Sequence, residues 1–569
     1  MTEKLQKTLR DSKAARWMAL VTVSFTMMWG YYLTDAMSPL MDMLGISLDQ
    51  GGMGWSAKDF GWFNNAYMWF NVFCFMLIFG GIILDKMGVR FTAILSGTVM
   101  LVGAAINWYA VTDMFAGSGL ETWFNNNLNY IPGFDELGIS PFYEGMPASA
   151  KFSAVGFMIF GCGVEMAGIT VSRGIVKWFQ GREMALAMGS EMALARLGVA
   201  TCMIFSPMFA KMGGTVDVSR SVAFGVVLLL IALIMFIVYF FMDRKLDDAS
   251  EEKDDPFRIS DLGKILRSSG FWLVALLCVL YYSAIFPFQK YAVNMLQCNL
   301  TLDAPAADSF WASDTVTVIQ YVIMIVVAGA SFAFNFSKDK VIKYSLLAVA
   351  VIALITYCFF GYMRQSAAAI FAVFPLLAVG ITPILGKYVD YKGKAASMLV
   401  IGSVLLILCH LTFAFVLPMF KGSPIGGVCV AYATILVLGA SFSLVPASLW
   451  PSVPKLVDAK IIGSAYALIF WIQNIGLWLF PLLIGKVLDA SNPALVQAVN
   501  SGAMDPETAA VSYDYTNPLL MLAFLGVAAL VLGLVLKVID RRQHLGLELP
   551  NVKGETAETE EAEAEAVEI

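Results

Sequence analysis

The stretch Gly81-Ile82-Ile83-Leu84-Asp85-Lys86-Met87-Gly88-Val89-Arg90 closes one long apolar run and opens the next. Its pattern, Gly-x-x-x-Asp-x-x-Gly with basic residues around it, returns as Gly386-Lys387-Tyr388-Val389-Asp390-Tyr391-Lys392-Gly393-Lys394. Each helix end there wants a tight turn, and an aspartate or a base beside it can bridge to the terminus of a neighbouring helix. Two copies on one membrane side are what two parallel halves of a membrane protein would show.

Working outward, the chain is 59% hydrophobic and 14% charged, against roughly 25% charged in soluble domains. An all-α, polytopic membrane protein follows. Runs of the required length, about 20 apolar residues, cover 17–41, 60–84, 91–112, 153–179, 184–209 and 221–242 in a first half spanning 17–242. A charged linker, 243–269, carries Asp247, Asp248, Glu251, Glu252, Asp254 and Asp255 and is too polar for lipid. The second half, 270–542, offers 270–296, 315–336, 341–363, 367–385, 395–417, 428–453, 461–488 and 516–539. About fourteen spans are therefore expected. If the spans before the two motifs correspond, 315–363 is an inserted hairpin.

Charge sets the expected orientation. With the amino terminus in the cytoplasm, only Lys58, Lys151, Lys211, Arg220, Arg364, Lys421 and Lys486 of the 37 Lys and Arg fall outside, and Arg196 and Lys290 lie within spans. The positive-inside rule is satisfied with both termini cytoplasmic. Residues 1–16 form a basic amino-terminal tail before a span retained without signal cleavage. The run 543–569 reads as an acidic, disordered tail. A cell membrane protein, the inner membrane in a bacterium, is expected.

Two charges stand deep in this apolar setting. Glu165 precedes Phe179 by 14 residues and Arg196 follows Glu183 by 13, so both lie roughly 20 Å from the same membrane face on antiparallel helices. A charge at the midplane costs about 2.5–3.5 kcal/mol on insertion scales and usually faces a bundle interior or watery cavity. Either the two pair and lock their helices together, or they hold the two ends of a zwitterion.

The two motifs resemble the loop signature of the major facilitator superfamily. A narrower resemblance, to the lysosomal dipeptide transporter branch known in animals as major facilitator superfamily domain-containing protein 1, rests on several stretches. These are Glu165, Lys177-Trp178-Phe179, Gly181, Ala195-Arg196-Leu197-Gly198, Leu449-Trp450-Pro451, Gly463-Ser464-Ala465-Tyr466 and Ile472-Gln473-Asn474-Ile475-Gly476, with Tyr281-Tyr282 and Phe286-Pro287-Phe288 in addition. The resemblance implies two pseudo-symmetric six-helix halves and a dipeptide uniporter. In that branch the acid at the position of Glu165 meets the peptide amino end and the Arg at Arg196 meets the carboxylate. The chain departs from the branch at Glu191, where Gln is expected, and at Arg173, where an uncharged residue is expected. These two read as a compensating structural ion pair nearer the cytoplasm. Lysosomal residence and an accessory subunit are not carried over.

Gln473 lies 13 residues past Lys460, at the same depth of ~20 Å as Arg196. With Asn474, Trp471, Tyr281 and Tyr282 it completes the expected substrate pocket. Asp35 and Lys290 lie roughly 30 Å up their spans; either they close an outer gate, or Asp35 reaches water alone and Lys290 snorkels. Gating or structural roles are expected for these two, for Gly81, Asp85, Lys86, Gly88, Arg90 and Asp390, for Arg173 and Glu191, and for Trp450 beside Pro451 at a helix kink. His410 reads as packing.

Two His and eight Cys without clusters, and no grouped nucleophile, base and orienting residue in the spans, argue against an enzyme, a metal site or a cofactor. Nucleic acid is not an expected partner; a small dipeptide, the lipid bilayer and a monomeric state are. The expectation is a secondary carrier of dipeptides working by alternating access, probed against two rivals: a proton- or anion-coupled antiporter of organic anions or drugs, and a non-transporting sensor.

Overall fold

The computed structural model describes residues 12–552 apart from 46–51, 56, 213–214, 249–261, 304, 307, 338, 502 and 505–511. The first eleven residues of the amino-terminal tail, most of the acidic linker stretch and the acidic run from 553 onward lie outside the described residues. The long helices are α1 (Lys13–Asp35), α2 (Ala57–Phe73), α3 (Met76–Ala110), α4 (Ala148–Phe179), α5 (Met184–Ala210), α6 (Val218–Asp248) and α7 (Ser269–Asn299). They continue as α8 (Asp314–Phe336), α9 (Lys340–Met363), α10 (Val373–Lys392), α11 (Ala395–Leu411), α12 (Pro424–Ser452), α13 (Ile462–Ser491) and α14 (Thr516–Gln543).

Local chemistry sets where many of these begin. Ser268, Ser313 and Asp339 accept from Phe271 N at 3.2 Å, Val316 N at 3.4 Å and Ile342 N at 3.0 Å, each side chain supplying one of the orphan amides of a first turn with a partner.

Among the described residues, 12 helices are long and apolar enough to cross a membrane, fewer than the expected count of about fourteen. The first expected span exists as α1, of 23 residues, but it is not among the 12. The expected span 60–84 is interrupted after α2, and Phe75 takes the left-handed φ of 55° there. At 17 residues, α2 is roughly 26 Å long and falls short of a full crossing by itself. The helical run resumes as α3, in which two helical stretches meet at the non-helical Gly88 (φ 82°, ψ 169°), between the expected spans 60–84 and 91–112.

Two compact units emerge, and they do not coincide with the two sequence halves. The first holds Met1–Trp178, Leu194–Ile265 and Asp458–Trp478; the second holds Phe179–Ala193, Leu266–Val457 and Leu479–Ile569. Each unit thus takes in the first turns of one helix, α13 or α5, from the other half of the sequence.

In the first unit α3 and α1 pack on α6, and α4 is enclosed, with 83% of its apolar window buried. Its approach to α3 depends on small residues: a side-chain carbon on Gly103 would overlap the backbone of Phe160, and one on Gly156 would lie 2.7 Å from Asn107 N. Close backbone contact of this kind is how helices associate when lipid removes the usual hydrophobic drive. Asp243, 1% exposed, fixes the other end of α4 by accepting from Lys177 Nζ at 2.8 Å and Trp178 Nε1 at 3.1 Å.

In the second unit α11 lies between α12 and α14, with α10 on α12 and α7 on α14. The expected inserted hairpin is the antiparallel pair α8 and α9, and α8 packs on α10. On α9 only Ala350, Tyr357 and Gly361 are buried among the described residues, while Ile352 and Ile355 are each 64% exposed. Such a helix suits an outer, lipid-facing position. His410 is fully buried, its ring Nδ1 2.9 Å from Leu406 O. Residues 544–552, expected as the start of a disordered tail, fold back onto this unit, and Leu547 is 0% exposed.

Candidate functional site: paired helix clasps and a buried acid

The two glycine–aspartate motifs build the same device twice. In the first unit Asp85 accepts from Gly463 N at 2.9 Å and from Ser464 N at 2.6 Å, the opening amides of α13. In the second unit Asp390 accepts from Ala185 N at 2.8 Å and Leu186 N at 2.7 Å, the opening amides of α5. A carboxylate there satisfies orphan donors and meets the positive end of the helix dipole. The leading glycines permit the approach, since a methyl on Gly81 would overlap the Ala467 side chain and one on Gly386 the Ala185 carbonyl. The closing glycines, Gly88 and Gly393, take left-handed φ values of 82° and 70°, which a side chain would strain.

Arg173 donates to Asp85 Oδ1, as a salt bridge, and to Leu84 O at 3.3 Å. Within the first unit, then, the carboxylate that Arg173 meets is that of Asp85. Helical rise along two spans gives depth alone, and the nearest carboxylate comes from a third helix, α3, which depth could not reveal. Lys86 is exposed, and Arg90 lines an open groove with Met87, Phe91, Phe240 and Arg244.

Glu165 lies on α4, one turn beyond Gly161, and is 8% exposed. A side chain on Gly161 would overlap the Tyr67 carbonyl, so this glycine lets α2 come close enough for Tyr67 OH to donate to Glu165 Oε1 at 3.0 Å. Asn474, fully buried on α13, donates from Nδ2 to Oε2 at 3.2 Å. Both carboxylate oxygens are thus oriented by neutral donors.

Arg196, 6% exposed, sits on the part of α5 that belongs to the same unit. Its guanidinium carbon lies 5.5 Å from the centroid of the Tyr31 ring on α1, within reach of a cation–π contact. Gly198, half a turn on, admits α1, because a side chain there would overlap Met28 O. The third turn of α13 is held on α2 as well: Trp471 Nε1 donates to Val72 O at 3.2 Å, and its ring lies 5.4 Å from Phe75. Gln473 is 6% exposed in the same unit.

The other expected pocket residues lie in the second unit. Tyr281 is fully buried, its hydroxyl bonded to Leu399 O and 2.5 Å from Ser403 Oγ on α11. Tyr282 accepts from Trp450 Nε1 at 3.1 Å, with ring centroids 6.0 Å apart, so these two form an aromatic contact between α7 and α12. Glu191, 9% exposed, belongs to this unit too. Asp35 ends α1 half-buried in the first unit, and Lys290 is exposed on α7 in the second. Tyr67, Tyr31 and Asp243 were not singled out from the sequence. Asp243 carries a signal, as an acid closing an apolar run; a tyrosine among 20 in the chain carries little.

An all-helical membrane fold, repeated clasps and a charged interior define a polytopic carrier, and a family model described as Major Facilitator Superfamily matches residues 20–367. The chain belongs to that superfamily: it is a multi-pass integral membrane protein and a secondary transporter of a small molecule, of a family whose members are transporters and not enzymes. It is similar to the protein named lysosomal dipeptide transporter MFSD1 of Danio rerio, 23% identical over 432 residues that cover 74% of this chain and 69% of that protein. The Homo sapiens protein of the same name is 22% identical over 346 residues, covering 59% of this chain and 59% of that protein. Among solved structures, the proton:xylose symporter XylE bound to 6-bromo-6-deoxy-D-glucose superposes with a TM-score of 0.55 at 11% identity, covering 93% of this chain and 96% of that one. At that identity the likeness concerns the fold alone.

Proposed function

We propose that this carrier moves dipeptides by alternating access, as a uniporter, with Glu165 receiving the peptide α-amino group and Arg196 its carboxylate. The observation that carries the reading is the pair of neutral donors on Glu165: Tyr67 and Asn474 orient both oxygens and leave the negative charge for a ligand cation. A carboxylate locked by a structural base would not offer that. The name of the curated relatives supports the same substrate. The α-amino and α-carboxylate groups of a dipeptide have a spacing fixed by one peptide bond, so an acid and a base on rigid helices can measure it. Gln473 and Trp471, on the turns of α13 that carry Asn474, complete the proposed site. Tyr281 has its hydroxyl committed to α11 and takes a packing role.

In this reading both termini face the cytoplasm, which the distribution of Lys and Arg supports, and a monomer works in the cell membrane. The clasps at Asp85 and Asp390 hold helix starts from the opposite sequence half, so they are contacts that one-half-against-the-other rocking makes in one state only.

The test is a thermal-shift panel on purified protein with dipeptides, single amino acids and organic anions, alongside Glu165→Gln and Arg196→Ala. Dipeptide at about 100 times its Kd stabilises by about 2.7 kcal/mol if it binds the folded state alone. Stabilisation by dipeptides, lost in both variants, is expected. Amino-terminally acetylated dipeptides leave Glu165 without a cation, and removing one partner of a buried charge pair costs about 2–5 kcal/mol, so they bind at least ~30-fold more weakly. Stabilisation by monocarboxylates alone, with Glu165→Gln mattering only under a proton gradient, would replace this reading with the coupled antiporter.

A further inference from the structure

The segment that leaves α14, residues 544–552, runs along the head of α11 and ends on the second glycine–aspartate motif. Lys394 N and Ala395 N donate to the carbonyls of Glu548 at 3.1 Å and Leu547 at 3.2 Å. The Glu548 carboxylate accepts from Ser397 N at 2.7 Å and Ser397 Oγ at 2.9 Å. The segment therefore caps a helix whose own N-cap residue, Lys394, stands in the left-handed region and supplies no side-chain cap. Lys455 Nζ grips it from the short turn Val453–Lys455 that follows α12, donating to Gly546 O at 3.0 Å and Leu549 O at 2.9 Å.

At its far end Asn551 N and Val552 N donate to the backbone carbonyl of Asp390 at 3.0 and 3.2 Å. The Asn551 amide then donates from Nδ2 to Asp390 Oδ1 at 2.9 Å, the same oxygen that receives Ala185 N. The two motifs thus use different orienting groups. Asp85 is steered by the guanidinium of Arg173, from a helix of its own sequence half; Asp390 is steered by an amide from the carboxy-terminal segment.

We propose that Asn551 is a positioning residue for Asp390, and that residues 544–552 form a latch holding this carboxylate in the pose that clasps the start of α5. The latch does for the second motif what Arg173 does for the first. Releasing it frees Asp390 to rotate and loosens the beginning of the helix that carries Arg196, leaving the clasp between Asp85 and α13 as it was. This inference is independent of which substrate the carrier takes.

Hydrogen exchange read by mass spectrometry on the full chain in lipid nanodiscs tests it, comparing wild type with Asn551→Ala, Asn551→Asp and a chain ended after Gln543. Losing the hydrogen bond to a charged acceptor raises exchange at Ala185 and Leu186 about tenfold in Asn551→Ala. A larger rise is expected in Asn551→Asp, where a second carboxylate faces Asp390. Gly463 and Ser464 keep their wild-type rates in both. Unchanged exchange at Ala185 and Leu186, or an equal rise at Gly463 and Ser464, would overturn the latch, the latter by marking a general loosening. Should the shortened chain fail to fold, the two point variants decide the matter alone.

Discussion

Glu165 draws its geometry from two side chains that differ in how much they do besides donate. Tyr67 also packs its ring 5.3 Å from Phe157 and 6.2 Å from Phe160, contacts that phenylalanine would keep. Tyr67→Phe therefore removes one donor with little change in packing, and a hydrogen bond to a charged group is worth about 1.5–3 kcal/mol. With Oε1 freed to rotate, dipeptide affinity in a titrated thermal shift is expected to fall roughly tenfold, equivalent to about 1.4 kcal/mol, while the ligand-free melting temperature stays near wild type. An unchanged Kd would show that Tyr67 serves packing and not the acid. At this scale the sequence was informative about charge and silent about neighbours: Glu165 and Arg196 stand out because ionised groups are rare in apolar spans. Tyr67 becomes visible only once Gly161 has let α2 approach α4.

Among the helices, the repeat read from Gly81-x-x-x-Asp85-x-x-Gly88 and Gly386-x-x-x-Asp390-x-x-Gly393 corresponds to one three-part mechanism in both copies, with a close-approach glycine, a capping acid and a left-handed turn. What the repeat could not tell is which side chain steers each acid, because that choice is made by tertiary neighbours. Arg173 illustrates it, with its side chain 17% exposed against a fully covered Asp85. A double-mutant cycle separates the two candidate partners. Arg173→Gln combined with Asp85→Asn is expected to show a coupling energy of about 1–3 kcal/mol, as groups in one ion-pair network do. Combined with Glu191→Gln, the same arginine change is expected to be additive to within about 0.5 kcal/mol. Chemical denaturation in a fixed micelle provides the measurement, and strong coupling to Glu191 would reverse the assignment.

For the molecule as a whole, length and hydropathy predicted nearly every membrane helix, including the paired α8 and α9, because apolar runs of spanning length are unambiguous in lipid. They misjudged the opening of the chain, where α2 and α3 divide one apolar run at Phe75, a break that hydropathy does not register. Compact packing exchanges the first turns of α5 and α13, each lying in the unit drawn mainly from the other half of the sequence. That exchange has a mechanistic consequence. Asp85 and Asp390 act on helix starts, about two to three turns away from the residues proposed to read the substrate, so weakening a clasp changes the balance of conformations without altering the ligand's partners. Asp85→Asn and Asp390→Asn should each change the rate of dipeptide counterflow in proteoliposomes severalfold, by shifting the population of the clasped state. The ratio of dipeptide to amino-acid affinity should stay at its wild-type value in both. Glu165→Gln should do the reverse, collapsing that ratio toward one because the amino group then loses its partner in either ligand. If the clasp variants altered selectivity as strongly as Glu165→Gln does, Asp85 and Asp390 would have to act on the substrate site itself, and separate roles for the clasps and the buried acid would be untenable.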